Sequence, residues 1–340
     1  MPKSPGDAVG PLARIPFLRH DESMTPSMSS SPMPASSMVA ASGAEPFSAS
    51  PLVVETPSGK TAGDENFPVG SFLIRPDLRR HVHIFYDFAR SGDDISDNSD
   101  LSPEEKIARL ALMAKVIRGE GDAAETAAAP NAARMRQDLV ETGVTPQHCL
   151  DLLQAFTQDA QKLRYRDWND LIGYCLLSAA PVGRHLLDLH GESKAVWDAA
   201  DALCNALQVI NHLQDCGLDY RNLDRVYLPT GTLEAEGAAI SDLGGAALTP
   251  PLRRAIDRLI PPLFALLDRC RDLVVEIKDP RLALESAIIR RLAVRIAGRL
   301  AKEDPLATRV VLSKPTMATL STGAVANGLI RRLISGPRRR

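Results

Sequence analysis

A chain of 340 residues can hold one large or two ordinary domains, and 44% hydrophobic residues provide for a sizeable core. A formal charge of -2 gives no reason to expect nucleic acid. Five scattered cysteines (Cys149, Cys175, Cys204, Cys216, Cys270) without CxxC spacing support neither a disulfide framework nor a zinc site, and fit a reducing compartment.

Residues 1–55, rich in Ser, Pro, Met and Ala, bury too little to order themselves and read as a disordered extension. Asp7, Asp21, Glu22 and Glu45 argue against a transit peptide, and no continuous apolar segment marks a signal sequence. The expected folded domain is 56–305, with a basic tail over 306–340.

The first strong helix is expected from Pro76, with an apolar stripe of Leu78, Val82, Phe85 and Ala89. Continued at about 100° per residue, the stripe brings Asp93 and Asp97 onto or beside the buried face. Buried carboxylates need cations, and Arg90, one turn before Asp93, is a partner for them or a hand for a diphosphate. Ser102-Pro103-Glu104-Glu105 then opens a helix running to Gly119. Further helices are expected over 146–166 and 170–189, and no period-2 pattern interrupts them, so the fold reads as all-α.

A second helix repeats the acidic device. Val196, Ala200, Leu203, Leu207 and Ile210 form its apolar stripe, with Gln208, Asn211, Asp215 and Asp219 in a band beside it. Two runs of carboxylates four apart, with amide neighbours and oxygen-only donors, suit magnesium, which is commonly held by one or two carboxylates plus substrate phosphates. The competing reading is a pair of solvated helix ends; the matching of the two runs favours metal. A Gly- and Ala-rich connection over 231–247 precedes helical patterns from 250 to 303, punctuated by Pro280 and Pro305. The last stretch, Gly328 to Arg340, is basic and apolar; it reads as a frayed tail or a contact for anionic membrane.

The run His83 to Asp97, with Asn211 to Asp219 and Arg225-Val226-Tyr227-Leu228-Pro229, resembles the squalene and phytoene synthase family over about 56–300. Asp64-Glu65-Asn66-Phe67-Pro68-Val69 and Ser178 to Arg184 resemble its bacterial hydroxysqualene synthase branch of hopanoid biosynthesis. The resemblance implies an isoprenoid-synthase helical bundle around a central cavity. It places Asp93, Asp94, Asp97, Asn211, Asp215 and Asp219 at magnesium, and Arg90, Gln208, Asn211, Arg225, Lys60 and Lys162 at the substrate. Tyr174 matches a family tyrosine near the cavity; a buried tyrosine satisfied by a carbonyl is the alternative, as an exposed turn is for Lys60 and a charged outer face for Lys162. Where many relatives carry an arginine and a further acid, the second stretch has Gln214 and Cys216-Gly217-Leu218, one carboxylate fewer.

The implied activity is ionisation of presqualene diphosphate with capture by water, without NADPH. Alternatives are a head-to-head prenyltransferase making presqualene diphosphate, squalene or phytoene, and a non-catalytic assembly factor of the same fold. The implied partners are a prenyl diphosphate lipid and a presqualene diphosphate synthase that hands it over. No apolar run reaches the ~18 residues that span a bilayer, so the expected location is cytoplasmic, with peripheral contact at the inner membrane.

Overall fold

A computed structural model describes residues 53–55 and 73–335. Within them fourteen helices follow one another: α1 (Arg79–Asp97), α2 (Pro103–Arg118), α3 (Ala123–Ala128), α4 (Pro130–Thr142), α5 (Gln147–Asp159), α6 (Trp168–Ser178), α7 (Ala180–Leu189), α8 (Trp197–Gln214), α9 (Cys216–Leu223), α10 (Thr230–Ala235), α11 (Pro250–Arg269), α12 (Leu273–Glu276), α13 (Pro280–Leu300) and α14 (Lys314–Ser335). Strand-like pairing among the described residues is a single parallel bridge, Arg164 to Val226. The fold is all-α, as expected.

Local chemistry sets several helix starts. Ser102 caps α2 through the Glu105 amide, the Glu105 side chain returns to the Ser102 amide, and Pro103 needs no amide partner in the first turn. Asp279 caps α13 by accepting the amides of Arg281 and Leu282, ahead of Pro280. The first long helix starts at Arg79 rather than at Pro76, which lies in the preceding turn. The stretch expected as one helix over 170–189 is two, α6 and α7, because Pro181 has no amide to carry the ladder across Ala179.

From Ala202 to Gln214 every residue of α8 is buried, so this part of the helix has no solvent face. It packs against α6 and α7 on one side and α11 and α13 on the other, while α1, α2, α4 and α5 form an adjoining group joined through α5 to α6 and α7. The stretch Ser178 to Arg184 proves to be packing: a Cβ on Gly183 would meet Cys204 Sγ at 2.6 Å, and Arg184 grips Asp201 on α8 through two hydrogen bonds of 2.9 and 2.5 Å.

Two ends of the chain depart from expectation. Glu55, placed in the disordered extension, is buried and accepts the amides of Asn131 (2.8 Å) and Ala132 (3.1 Å). It thereby caps α4, whose entry residue Ala129 has no side-chain oxygen to do so. The tail is not frayed over its described part: α14 lies along α13 and α12, with Ala324 and Gly328 buried against them. Lys60 and the stretch Asp64 to Val69 lie outside the described residues.

His185 on α7 is fully buried, stacked on Phe85 of α1 with ring centroids 3.9 Å apart, and neither ring nitrogen has a hydrogen-bond partner. Burial first, then repulsion from His148 and His81, pushes its pKa down to about 3 from 6.5. The folded protein therefore keeps His185 neutral where the unfolded chain binds a proton. Stability should fall as pH drops below about 6.5, by up to ~1.4 kcal/mol per pH unit from this residue. Chemical denaturation at pH 7 and pH 5 should show this decline, and His185→Phe, which keeps the stack and adds no titrating group, should lessen it.

Candidate active site

The second acidic stretch is not one continuous helix. α8 ends at Gln214, Asp215 takes a non-helical backbone (φ -107°, ψ 9°), and α9 starts at Cys216. The Asp219 amide still donates to the Asp215 carbonyl at 2.8 Å, so the two acids remain one turn apart across the break. Gly217 sits between them because a Cβ there would lie 2.6 Å from Leu306 and 3.2 Å from the Leu243 carbonyl. On α1, Gly92 has a similar cause: its Cβ would meet the Phe156 ring of α5 at 2.7 Å.

α9 closes on Asp224, whose left-handed backbone (φ 49°) turns the chain inward. The Arg225 amide then donates to the Asp219 carbonyl (3.1 Å), and Val226 and Thr230 donate to the carbonyls of Leu163 and Tyr165. In this extended segment Arg225 and Tyr227, two residues apart, point the same way. Both reach Asp159 at the end of α5: Arg225 Nε donates to its carbonyl (3.1 Å) and Tyr227 Oη to Oδ1 (2.6 Å). Tyr174 of α6 donates to Oδ2 (2.6 Å). This focus explains why the helix expected over 146–166 stops at Asp159: the following loop must lay Leu163 to Tyr165 beside residues 226–230.

Arg225 also joins the two acidic stretches. Its Nη1 donates to Asp97 Oδ1 (2.6 Å) and its Nη2 to the Ser96 carbonyl (2.7 Å), from a side chain 3% exposed. Arg90 lies 3.3 Å from Asp93 and 2.7 Å from Asp94. Burial alone would lower its pKa, but Asp93 and Asp94 outweigh this and raise it, so the guanidinium stays charged. Arg309 Nε lies 3.4 Å from Asp215 Oδ1. Asp93, Asp94, Asp215 and Asp219 are all buried. The arrangement interleaves acids that can bind cations with arginines that can bind an anion.

The squalene/phytoene synthase family model matches residues 60–316. The chain belongs to the squalene/phytoene synthase family. A hydroxysqualene synthase of Rhodopseudomonas palustris is 46% identical over 278 residues, covering 82% of this chain and 94% of the relative. One from Zymomonas mobilis is 45% identical over 274 residues, covering 80% and 91%. The solved structure of squalene synthase HpnC from Alicyclobacillus acidocaldarius aligns with a TM-score of 0.59 at 30% identity, over 68% of this chain and 86% of that one. A dehydrosqualene synthase solved with a ligand aligns with a TM-score of 0.61 over 75% and 88%, and at 20% identity it shows the fold alone. This squalene/phytoene synthase family member is therefore an enzyme of isoprenoid diphosphates, in a family generally dependent on a divalent metal.

The residues present fit a hard cation completed by substrate. Among the described residues no three His, Cys, Asp or Glu side chains gather into a preformed metal cage. Magnesium does not demand one, since it keeps waters and shares its shell with phosphate oxygens. The donors here are oxygens, and both Gln208 Oε1 and Asn211 Oδ1 are buried without a hydrogen-bond partner. Acceptors left so in a core call for a cation or a donor.

Of the expected site residues, the structure joins Arg90 to Asp93 and Asp94, joins Arg225 to Asp97, to the Asp219 carbonyl and, at Asp159, to Tyr174, and sets Gln208, Asn211 and Asp215 at the end of α8. Lys162 is engaged elsewhere, by Asp170 and over the Tyr165 ring. Its even-handed alternative, a charged outer position, describes it better, with a side chain 33% exposed. Sequence reasoning missed Tyr227, which it quoted only as part of a motif, and Arg309, which it left in the tail. It also missed Lys106 of α2, whose pKa is lowered by partial burial and by Arg225 against the pull of Asp97 and Asp159. No spacing signal marks these three; each reaches the site from a separate segment.

Tyr174→Phe and Tyr227→Phe each remove one short hydrogen bond from buried Asp159. Each should cost about 1–3 kcal/mol of unfolding free energy, measurable by urea titration. If Tyr174 also touches substrate, its variant should lose far more turnover than the Tyr227 variant at matched stability; equal losses would leave it a structural role.

Proposed function

We propose that this enzyme is a hydroxysqualene synthase: it converts presqualene diphosphate and water into hydroxysqualene and diphosphate. The observation that carries the reading is the 44–46% identity to enzymes of that name over 79–82% of the chain, against 26–30% for phytoene synthases. The acidic stretches supply what such a reaction needs.

In the reaction the carbon–oxygen bond to diphosphate breaks with the electron pair leaving on oxygen. The carbon skeleton rearranges as a cation, water oxygen bonds to it, and the surplus proton is released. No carbon is reduced, so no hydride donor such as NADPH is required. Asp93, Asp94, Asp97, Asp215 and Asp219, with Asn211, would hold magnesium, which when bound offsets the charge of the leaving diphosphate. Arg90, Arg225 and Arg309 carry fixed positive charge beside these acids and would bind diphosphate oxygens.

The hydrocarbon would lie along α8. Ala200, Cys204, Gln208, Asn211 and Asp215 fall within one narrow stripe of the helix at about 100° per residue. Its N-terminal part, with Gly183, Leu186 and Leu203, lines an apolar pocket between α7, α8 and α13. Cys204 is about 10 Å along the axis from Asn211. An apolar stripe running into a polar band matches a prenyl chain with a diphosphate head, and its dryness would limit the nucleophiles that reach the cation. The catalytic unit would extend past the boundary at 305, since Leu306 packs on Gly217, Arg309 faces Asp215, and Gln214 donates to the Val310 carbonyl. A lipid substrate handed over from a presqualene diphosphate synthase would make peripheral membrane contact useful.

Purified enzyme with magnesium should consume presqualene diphosphate without NADPH and place oxygen from labelled water in a hydroxylated thirty-carbon product. Presqualene diphosphate formed from farnesyl diphosphate, with none consumed, would overturn the assignment. Excess EDTA should abolish turnover. Asp93→Asn or Asp219→Asn should lower it by about 100-fold or more while the helical circular dichroism persists.

A further inference from the structure

We infer that the C-terminal end of α14, together with the basic groove beside it, docks this enzyme on an anionic lipid bilayer. The feature that calls for an occupant is an aliphatic ridge. Leu329, Ile330, Leu333 and Ile334 are 48%, 55%, 84% and 80% exposed, four of the eight exposed large hydrophobic side chains among the described residues. They form two columns four residues apart on adjoining faces of the last two turns. Large apolar groups gathered at one helix end mark a contact site, whereas single ones scattered over a surface do not.

The ridge is held in place. Gly328 allows α14 to approach so closely that a Cβ there would lie 2.9 Å from Leu284 and 3.0 Å from Val274. Arg331 binds Asp272 and the Arg271 carbonyl, and Arg332 donates to the carbonyls of Val274 (3.0 Å) and Ile277 (2.7 Å). These contacts fix the rotation of α14, so its outward face is set by tertiary packing.

Charge selects the occupant. Arg291 and Arg295 on α13, and Lys302 in the turn after it, stand exposed at the rim of a groove with apolar residues Phe264, Val294 and Leu320. Arg291 continues into the next stretch of groove, which reaches the same end of α14 and is lined by Arg290 and by Arg271 and Arg331, these two paired with Asp268 and Asp272. The sequence after Ser335 adds Arg338, Arg339 and Arg340. Two copies meeting through this face would bring like charges together, whereas an anionic bilayer satisfies both the cations and the aliphatic ridge. No described helix is long and apolar enough to cross a membrane, so the contact is interfacial. It rests on the proposed function only for its purpose, delivery of a lipid substrate.

The test is sedimentation of the full chain with phosphatidylcholine vesicles and with mixed phosphatidylcholine–phosphatidylglycerol vesicles, without prenyl substrate. Binding should favour the mixed vesicles and weaken by about 10-fold or more at high salt. Leu333→Glu with Ile334→Glu should weaken it by a similar factor by removing the ridge. Arg291→Glu with Arg295→Glu should abolish the preference for anionic lipid, and both variants should keep wild-type turnover in detergent. The inference is overturned if the wild-type chain stays in the supernatant, if it binds both vesicles equally, or if light scattering shows a dimer that the Leu333 and Ile334 changes dissociate. Failure of the hydroxysqualene assignment would show in the detergent reaction and leave the sedimentation result standing.

Discussion

Burying carboxylates without losing the fold is the constraint on which this molecule depends. An isolated carboxylate in a core costs too much to persist unless it is hydrogen-bonded or paired. Asp159 meets that requirement with two phenols and lies against an arginine that reaches across to Asp97. Because those groups come from α1, α5, α6 and the segment after α9, satisfying the acids also locks the elements together. Arg225 is thus part of the site and a tie between its halves.

The same constraint accounts for the shape of α8. A helix buried all round would ordinarily be apolar, and Ala202 to Cys204, Ala206 and Leu207 follow that rule. Its last two turns carry Gln208, Asn211, His212 and Gln214, all buried. Gln214 reaches the Val310 carbonyl, and His212 stacks on Tyr227 with ring centroids 3.7 Å apart. Gln208 and Asn211 keep buried oxygens without a hydrogen-bond partner, an arrangement with no stabilising value of its own. The break of the helix at Asp215, made room for by Gly217, gives the second pair of acids a geometry different from that of the first pair on continuous α1.

Along α8 the buried surface passes from apolar residues to the polar band of Gln208 and Asn211. Arginines beside the acids compensate the buried negative charge. The outer helix α14 stands apart from this logic. It covers α12 and α13 with one face and turns an aliphatic, arginine-flanked end to solvent.

The sequence by itself determined the helical class, the helix starts with strong caps and both acidic stretches, because these depend on periodicity and on groups within one turn. It also carried the family resemblance, and with it Arg90, Asp93, Asp97, Asp215, Asp219 and Tyr174. Only the tertiary structure decided where helices stop: Asp159 ends α5 because residues 226–230 must lie beside the loop that follows, and that partner is more than 60 residues away. It also drew Tyr227, Arg309 and Lys106 to the site, moved Lys162 to Asp170, and turned the expected frayed tail into a packed helix. A side chain's partner across the chain leaves no periodic trace in its own neighbours; only the packing that joins distant segments decides it.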